Sequence, residues 1–194
     1  MLNPWVWVLV AGVVGYLFGS ISPAVYVARI FGVDLYASGS GNPGATNVGR
    51  TLGARWGVIV GAIDIAKGFL PAAVFGIYVG EIAGEVAGLA AVLGHITSPF
   101  LKGRGGKGVA TTLGAILGVQ PWLAIPVLIT FGVGLAIWHR VGLGAALAAF
   151  ALAISGVVGW ALGRLDPSDA VFALVMAGLV LGRHAGNIRR ATLH

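Results

Sequence analysis

The chain has 194 residues, of which 58% are apolar and only 9% are charged, and its mean hydropathy is +0.95. Water-soluble domains carry about 25% charged residues, so this composition excludes an ordinary soluble domain and indicates a membrane protein. The net charge of +6 is too small for a nucleic-acid-binding surface. The absence of cysteine excludes disulfides, thiolate nucleophiles and cysteine metal sites, and we expect neither a metal nor a cofactor.

Seven apolar stretches approach or exceed the roughly 20 residues that a membrane-spanning helix requires. They cover 4–28, 56–80, 84–101, 107–120, 121–138, 141–163 and 169–183. The fourth stretch is the shortest. Residues 1–7 lack the basic residues of a cleavable signal peptide, so we expect the first helix itself to direct membrane insertion.

The distribution of basic residues predicts the orientation of these helices. With the N-terminus outside, every lysine and arginine except Arg164 and Lys67 lies on the cytoplasmic side. Cytoplasmic loops of membrane proteins are enriched in these residues, and an odd number of crossings is needed to obtain this result. We therefore predict an all-α integral membrane protein, a seven-transmembrane-helix bundle with the N-terminus outside and the C-terminus in the cytoplasm. A single membrane-embedded domain would span 1–194.

Glycine and alanine are placed where helices in lipid need small residues. Close backbone contact replaces hydrophobic burial as the main source of helix association in a membrane. Gly84 with Gly88, Gly114 with Gly118, and Gly15 with its neighbours at 12 and 19 form such small-residue faces. Most of the 33 glycines are therefore expected to serve packing.

Three polar clusters remain, and all three lie on the predicted cytoplasmic side. They are the first cluster at 39–50, the second cluster at 94–112 and the third cluster at 183–190. The first is predicted to be a loop rich in glycine, serine, asparagine and threonine that ends with an arginine. Glycine lets main-chain N–H groups approach an anion closely, so this loop is expected to bind an anionic group beside the membrane.

The second cluster places Lys102, Arg104 and Lys107 among glycines where the fourth helix begins. A helix N-terminus presents unpaired N–H groups and the positive end of its dipole, so phosphate is a natural ligand there. The alternative is that these cations only anchor the chain at the cytoplasmic face. The spacing does not match the Walker A pattern, since a valine follows the Lys107-Gly108 pair, and nucleotide hydrolysis is not supported.

Other polar residues allow two interpretations each. His95 binds a ligand or is an interfacial histidine satisfied by a backbone carbonyl. His184 and Asn187 share a helix face at i, i+3, and either belong to a site or anchor the chain among lipid headgroups. Asp64 and Lys67 have the same spacing within the second stretch. They form either a functional pair or a purely structural ion pair.

The predicted cytoplasmic face is rich in hydrogen-bond donors and poor in bases. Asp34 is its single carboxylate, so neither a carboxylate pair nor a carboxylate metal cage is available. The sequence also lacks the His-x-x-x-x-Asp pairing of many acyltransferases. Such a site suits a reaction between two phosphorylated substrates that is catalysed by positioning and charge stabilisation.

Five motifs together resemble those of a known family. They are Gly-Ser-Gly-Asn-Pro-Gly-Ala-Thr-Asn-Val-x-Arg at 39–50, Asp-x-x-Lys-Gly at 64–68, Gly-His at 94–95, Gly-Gly-Lys-Gly-Val-Ala-Thr at 105–111, and His-x-x-Asn-Ile-x-Arg at 184–190. On these motifs the chain resembles the bacterial acyl-phosphate:glycerol-3-phosphate acyltransferases, the PlsY family, over nearly its whole length.

The resemblance implies transfer of a fatty acyl group from acyl phosphate to the 1-hydroxyl of glycerol 3-phosphate, giving lysophosphatidic acid and phosphate in phospholipid synthesis. The implied catalytic residues are Ser40, Arg50, Lys107, His184 and Asn187. The implied substrate-binding residues are Gly39, Gly41, Asn42, Gly44, Thr46, Asn47, His95, Arg104, Gly105, Gly106 and Gly108. The glycine backbone of 39–44 would hold a phosphoryl group. A phosphate of a substrate would take the hydroxyl proton, since the family lacks a protein general base. We expect a monomer in the bacterial inner membrane with its site facing the cytoplasm, and membrane lipid around it.

The chain departs from the family pattern at three places. Arg104 stands where the family has the first lysine of its second motif, and the serines expected near 141–145 are absent. The Gly-x-Glu that usually follows the third motif is also missing. These departures concern the detailed geometry of the site more than the class of reaction.

Two other functions fit parts of the pattern. A carrier for an anionic phosphorylated metabolite would use the basic clusters as a gate, but polar residues would then be expected along several helices, and only Asp64 and Lys67 lie deep in one. A lipid-binding scaffold would not require the Gly-Ser-Gly-Asn-Pro-Gly segment of the first cluster.

Overall fold

The structure is a computed structural model that describes the backbone of residues 3–191 and the side chains of residues 3–186. All regular structure within residues 3–191 is helical. The α-helices there are α1 (Pro4–Ser20), α2 (Pro23–Ile30), α3 (Ala45–Leu52), α4 (Ala54–Tyr78), α5 (Glu81–Thr97), α6 (Val109–Val119), α7 (Ala124–Trp138), α8 (Val141–Ala161) and α9 (Pro167–Ala191). Two 3₁₀ turns, Pro99–Leu101 and Pro121–Leu123, precede the second loop and α7. We call residues 31–44 the first loop and residues 102–108 the second loop.

The helices are those of a multi-pass membrane protein. Within the described residues, five stretches are long and apolar enough to cross a membrane. They are Pro4–Ile30, Ala54–Tyr78, Pro121–Trp138, Val141–Ala161 and Pro167–Gly186. The other two predicted crossings correspond to α5, with 17 residues, and α6, with 11. The all-helical membrane class is confirmed, and the count of seven crossings and the orientation of the termini stay predictions.

The first stretch is not one continuous helix, which corrects the expectation of a single helix over 4–28. The chain is extended at Ile21 and Ser22, and α2 begins with Pro23. A residue before proline avoids the helical conformation, and proline is favoured in the first turn of a new helix. The Ser22 side chain accepts a hydrogen bond from the Val25 N–H, 3.3 Å away, and so caps α2.

The first polar cluster is only half a loop, which corrects a second expectation. From Ala45 onward it forms α3, with Gly44 as the residue before the helix, in extended backbone. Val48 on this helix is fully buried and packs in a core with Leu35 and Val60. Val48 and the partly buried Ala45 and Leu52 therefore fix this short polar helix against α4.

By its internal contacts the chain divides into two compact units, residues 1–119 and 120–194. In the first unit, α5 packs against α1, α4 and α6. The predicted small-residue faces make these contacts: a Cβ on Gly15 or Gly19 would collide with the α5 backbone, and one on Gly114 with the α4 backbone. This close approach confirms the packing role expected for these glycines.

The second unit consists of α7, α8 and α9, with α8 in contact with both others. Gly134 of α7 lies against Gly144 of α8, where a Cβ on Gly134 would come within 2.8 Å of the Gly144 Cα. The segment in which the family's serines are missing is thus a contact between two helices. The single domain over 1–194 stays a prediction.

Candidate active site

The first loop is held in shape by one buried side chain from the helix that follows it. The Asn47 Oδ1 accepts a hydrogen bond from the Ser40 N–H at 2.8 Å. Its Nδ2 donates to the carbonyls of Ser38, at 3.0 Å, and Leu35, at 3.2 Å. Asn47 is 1% exposed, so its amide is fully engaged with the loop. Its expected contact with substrate stays untested, and its observed role is to fix the loop.

Glycine is favoured at three positions of this loop, the first being Gly32 with a φ of +67°. Gly39 and Gly41 have φ angles of +58° and +68°, in the left-handed region that favours glycine. A Cβ on Gly39 would also collide with the Asn47 Oδ1. The N–H groups of Gly41 and Gly44 donate to carbonyls within the loop, at 3.1 and 2.9 Å. These two amides therefore stabilise the turn. An anion could then be bound through the fixed conformation of the loop and its outward-facing side chains.

Several expected site residues of the first cluster face outward. Ser40 is exposed at the turn, and Thr46 is exposed on the first turn of α3. Arg50 lies exposed in the last turn of the same helix, and Asn42 is half-buried. Hydroxyl and guanidinium groups in these positions are accessible to a ligand.

The second loop is attached to the end of α5 by its main chain. The buried residues Gly105 and Gly106 donate their N–H groups to the carbonyls of Ile96 and His95, each at 3.1 Å. Carbonyls at a helix C-terminus have no partner within the helix, and these two residues supply one. The half-buried Lys107 follows directly, before α6. The loop thus places a cation just ahead of a helix N-terminus, as expected for an anion site.

A buried ionic cluster lies behind this loop. The Lys67 Nζ lies 2.9 Å from the Asp64 Oδ1, which confirms the proximity predicted from their spacing. The His95 Nδ1 is 3.5 Å from the same carboxylate oxygen, so the ring faces a carboxylate. The Lys67 Nζ also donates to the Ile21 carbonyl at 2.7 Å, in the break between α1 and α2. All three side chains are at most 8% exposed.

Tyr36 joins the two loops. Its Oη donates to the Arg104 carbonyl at 2.9 Å, and the Arg104 guanidinium lies over its ring, 4.5 Å from the centroid. Burial raises the pKa of Tyr36 above its ordinary value of 10.0, although the nearby guanidinium acts in the opposite direction. The phenol therefore keeps its proton, and its hydrogen bond, throughout the physiological range.

A cleft of about 410 Å³ opens beside Tyr36. It is lined by the end of α2 and the start of the first loop, including Arg29 and Asp34. The Asp34 Oδ1 accepts a hydrogen bond from the Tyr36 N–H at 2.8 Å, so this carboxylate stabilises a turn.

The third cluster lies on α9, in the second unit. His184 is 2% exposed, and its Nδ1 lies 2.8 Å from the Val180 carbonyl oxygen. Asn187 is on the same helix, three residues further on, and its side chain lies outside the described residues. Within the first unit, Tyr36 of the first loop contacts Arg104 of the second cluster, and the third cluster is described only within its own unit.

Sequence reasoning missed two features of this region. Tyr36 was not singled out, since nothing in the motif pattern marks it. The contact of His95 with Asp64 was missed as well, although both belong to quoted motifs. Two ionisable residues in separate apolar helices were the available signal, because a buried charge requires a partner.

Comparison with known proteins agrees with this architecture. Residues 9–193 match the family model described as glycerol-3-phosphate acyltransferase. A glycerol-3-phosphate acyltransferase of Geotalea daltonii is 39% identical over 184 residues, which cover 94% of this chain and 92% of that protein.

Two crystal structures of PlsY (YgiH), an integral membrane glycerol 3-phosphate acyltransferase, share the fold. Its glycerol 3-phosphate form has a TM-score of 0.88 and 34% identity, and its lysophosphatidic acid form a TM-score of 0.83 and 36% identity. Each match covers 96% of this chain and 92% of the other. With the family model and a full-length relative in agreement, this chain belongs to the glycerol-3-phosphate acyltransferases of the PlsY family.

Proposed function

We propose that this protein transfers a fatty acyl group from acyl phosphate to the 1-hydroxyl of glycerol 3-phosphate. The products are lysophosphatidic acid and phosphate. The observation that carries the proposal is the end-to-end likeness to an enzyme whose crystal structures include a glycerol 3-phosphate form and a lysophosphatidic acid form. A substrate and a product of the same transfer are thus associated with this fold.

The arrangement of donors supports catalysis by positioning. The outward Ser40 and Arg50 belong to the same unit as Lys107, and within that unit Tyr36 connects the first loop to the second. Cations and hydroxyls favour two phosphorylated reactants and stabilise charge that develops during transfer. We propose that Ser40, Arg50 and Lys107 belong to this site; His184 and Asn187 stay predictions that rest on the family motif alone.

The reaction balances without a protein base. The hydroxyl oxygen of glycerol 3-phosphate attacks the acyl carbonyl carbon and forms the ester bond. The bond between that carbon and the phosphate oxygen breaks, and inorganic phosphate leaves. The hydroxyl proton passes to a phosphate oxygen. Asp34, the carboxylate on this side of the predicted topology, is engaged with the Tyr36 N–H, which supports this assignment.

Phosphate release is the direct test. Purified protein in detergent would be mixed with palmitoyl phosphate, with and without glycerol 3-phosphate, and the product extracted and identified. We expect release that depends on glycerol 3-phosphate and an equal amount of lysophosphatidic acid. Folded protein that releases no phosphate in this way, or that releases phosphate without forming the ester, contradicts the proposal.

The role of Lys107 is tested by Lys107→Ala. Removal of a charge-assisted contact to phosphate costs about 1.5–3 kcal/mol, so the KM for a phosphorylated substrate should rise about 10- to 100-fold. The matched control is Arg164→Ala, which removes an exposed cation between α8 and α9. Equal KM values in both variants would remove Lys107 from the site.

Ser40→Ala tests the outward hydroxyl of the first loop. Because the Ser40 main chain makes the bond to Asn47, the substitution leaves the loop intact. We expect a large fall in kcat with an unchanged unfolding midpoint. Wild-type turnover in Ser40→Ala would show that Ser40 only helps to form the turn.

We further propose that the bundle crosses the inner membrane seven times, with the N-terminus outside and the active site facing the cytoplasm. The basic residues support this orientation. Since the chain has no cysteine, Arg55→Cys and Arg164→Cys introduce single labels at exposed positions. A membrane-impermeant maleimide added to intact spheroplasts should label position 164 and should reach position 55 only after disruption. The reverse pattern contradicts this orientation.

A further inference from the structure

The second loop lies against a side chain that the proposed chemistry does not require. A Cβ built on Gly106 would collide with the His95 ring at Nε2, so the ring fills the space beside the loop. The other ring nitrogen, Nδ1, lies 3.5 Å from the Asp64 Oδ1. His95 is 8% exposed. It is therefore enclosed between a carboxylate and the loop backbone.

The carboxylate in turn is fixed by a lysine that has a second attachment. The Lys67 Nζ lies 2.9 Å from Asp64 and donates at 2.7 Å to the Ile21 carbonyl. Ile21 lies in the break between α1 and α2, where helix carbonyls lack partners within their own helix. The Ser98 Oγ donates at 2.7 Å to the carbonyl of Ser20, the last residue of α1 before the break. The cluster thus connects three separate segments of the first unit.

From this geometry we infer that Asp64, Lys67 and His95 are positioning residues that set the location of Gly106, and through it of Lys107, for binding of a phosphorylated substrate. The inference rests on the proposed function. It assigns His95 a role through the loop instead of direct contact with substrate. It also gives the buried Asp64–Lys67 pair a function beyond the mutual neutralisation of charge.

A double-substitution experiment separates positioning from a purely structural role. Gly106→Ala introduces a methyl group where the His95 ring lies, so the loop must shift. Displacement of a binding group by about 1 Å costs up to about 100-fold in activity. We expect the KM for glycerol 3-phosphate or palmitoyl phosphate to rise at least about 10-fold, with a smaller change in kcat.

His95→Ala removes the ring and its support of the loop, and it should also raise this KM. In the double variant the new methyl group occupies the space that the ring has left. We therefore expect its KM to be at least about fivefold lower than the product of the two single effects predicts. Matched controls are Thr97→Ala, at an exposed position in the last turn of α5, and Gly132→Ala, where a Cβ would meet no atom within 4 Å.

Asp64→Asn combined with Lys67→Gln removes both charges of the pair together and keeps the side-chain volumes similar. This variant should unfold at a lower temperature but remain folded at 20 °C, roughly the assay temperature at which ΔG of unfolding is near its maximum. Its KM should rise as in His95→Ala.

The thermal midpoint in detergent, with and without glycerol 3-phosphate, reports substrate binding without turnover. Each positioning variant should show a smaller stabilisation by this ligand than the wild type. Additive KM effects, unchanged KM values, or loss of folding in the single and paired variants would each overturn the inference. Wild-type protein that neither turns over nor is stabilised by glycerol 3-phosphate would instead contradict the proposed function.

Discussion

The two loops of the first unit are held in place by different means. The first loop is fixed by one side chain, Asn47, which comes from the helix directly after it. The second loop is fixed by main-chain bonds to the end of α5 and by the His95 ring. Both attachments join residues that are close in sequence, but the first is made by a side chain and the second by main-chain groups. The His95 ring beside the second loop is in turn in contact with Asp64 of another helix, α4.

Asn47→Ala is expected to have the largest effect on this comparison. It removes three hydrogen bonds and leaves the Ser40 N–H and two carbonyls without their partner. Loss of buried partners costs about 1–3 kcal/mol each, and some exposure to water reduces the total to about 3 kcal/mol. We expect a lower unfolding midpoint and faster chymotrypsin cleavage at Tyr36, with the second loop unchanged.

Asn3→Ala is the matched control, because its side chain accepts a bond from the Trp5 N–H at the exposed start of α1. Cleavage at Tyr36 should not change in that variant. If Asn47→Ala exposes the second loop equally, the two loops are one cooperative element and the comparison fails.

Gly105→Ala perturbs the second loop in the complementary way. A Cβ there would collide with the His95 carbonyl and come within 2.8 Å of the Ile96 carbonyl carbon. Overpacking of this kind costs about 2 kcal/mol, and the shift also weakens the bond from the Gly105 N–H to Ile96. We expect faster trypsin cleavage after Lys102 and Arg104, and reduced turnover.

The control for this variant is Gly178→Ala, where a Cβ would meet no atom within 4 Å. It should leave trypsin cleavage in the second loop unchanged. If trypsin cleaves the second loop at the same rate in Gly105→Ala and in wild type, the attachment to α5 does not determine the conformation of the loop.

Tyr36→Phe tests the connection between the loops and should have a smaller effect. It removes the hydrogen bond to the Arg104 carbonyl but keeps the ring beneath the guanidinium. We expect a loss of about 1 kcal/mol or less, and cleavage at both loops should rise slightly. Tyr26→Phe, at a side chain that is 70% exposed, provides the comparison. Identical cleavage in the two variants would mean that the loops are fixed independently.

The pH dependence of stability should show the smallest effect. The pKa of Tyr36 is raised in the folded protein, so the unfolded chain loses this proton first as the pH increases. The contribution of Tyr36 is complete below about pH 10 and is lost as the pH rises through its folded pKa. Thermal midpoints at pH 8 and pH 10.5 should therefore fall more in wild type than in Tyr36→Phe. An equal fall in both would contradict the raised pKa.

The sequence predicted the features that depend on local pattern. Apolar length gave the helices, and small-residue spacing gave the close contacts at Gly15, Gly19 and Gly114. The dipeptide Ser22-Pro23 indicates a helix break before Pro23. The break was missed because the sequence stays apolar on both sides of it. The helix α3 was missed because glycine, asparagine and threonine favour turns, while the burial of Val48 favours the helix.

The sequence pattern could not predict contacts between distant segments of the chain. Asp64 and Lys67 could be paired from their i, i+3 spacing, because both lie on one helix. No such rule connects Asp64 with His95 on another helix, or Tyr36 with Arg104 in another loop. The expected phosphate contacts of the glycine amides also required structure, since several of those amides donate to the protein itself.

The shortness of α6 has a consequence for where the reactants meet. With 11 residues it is about 16 Å long, roughly half the thickness of a 30 Å hydrocarbon layer. In the predicted topology of seven crossings, non-helical chain on at least one side of α6 enters the lipid layer, where water cannot satisfy the peptide groups. In the second loop, the N–H groups of Gly105 and Gly106 are satisfied by carbonyls of α5. For the proposed reaction, this arrangement would let the water-soluble reactant reach the depth of the acyl chains while the lipid-soluble acyl donor remains in the bilayer.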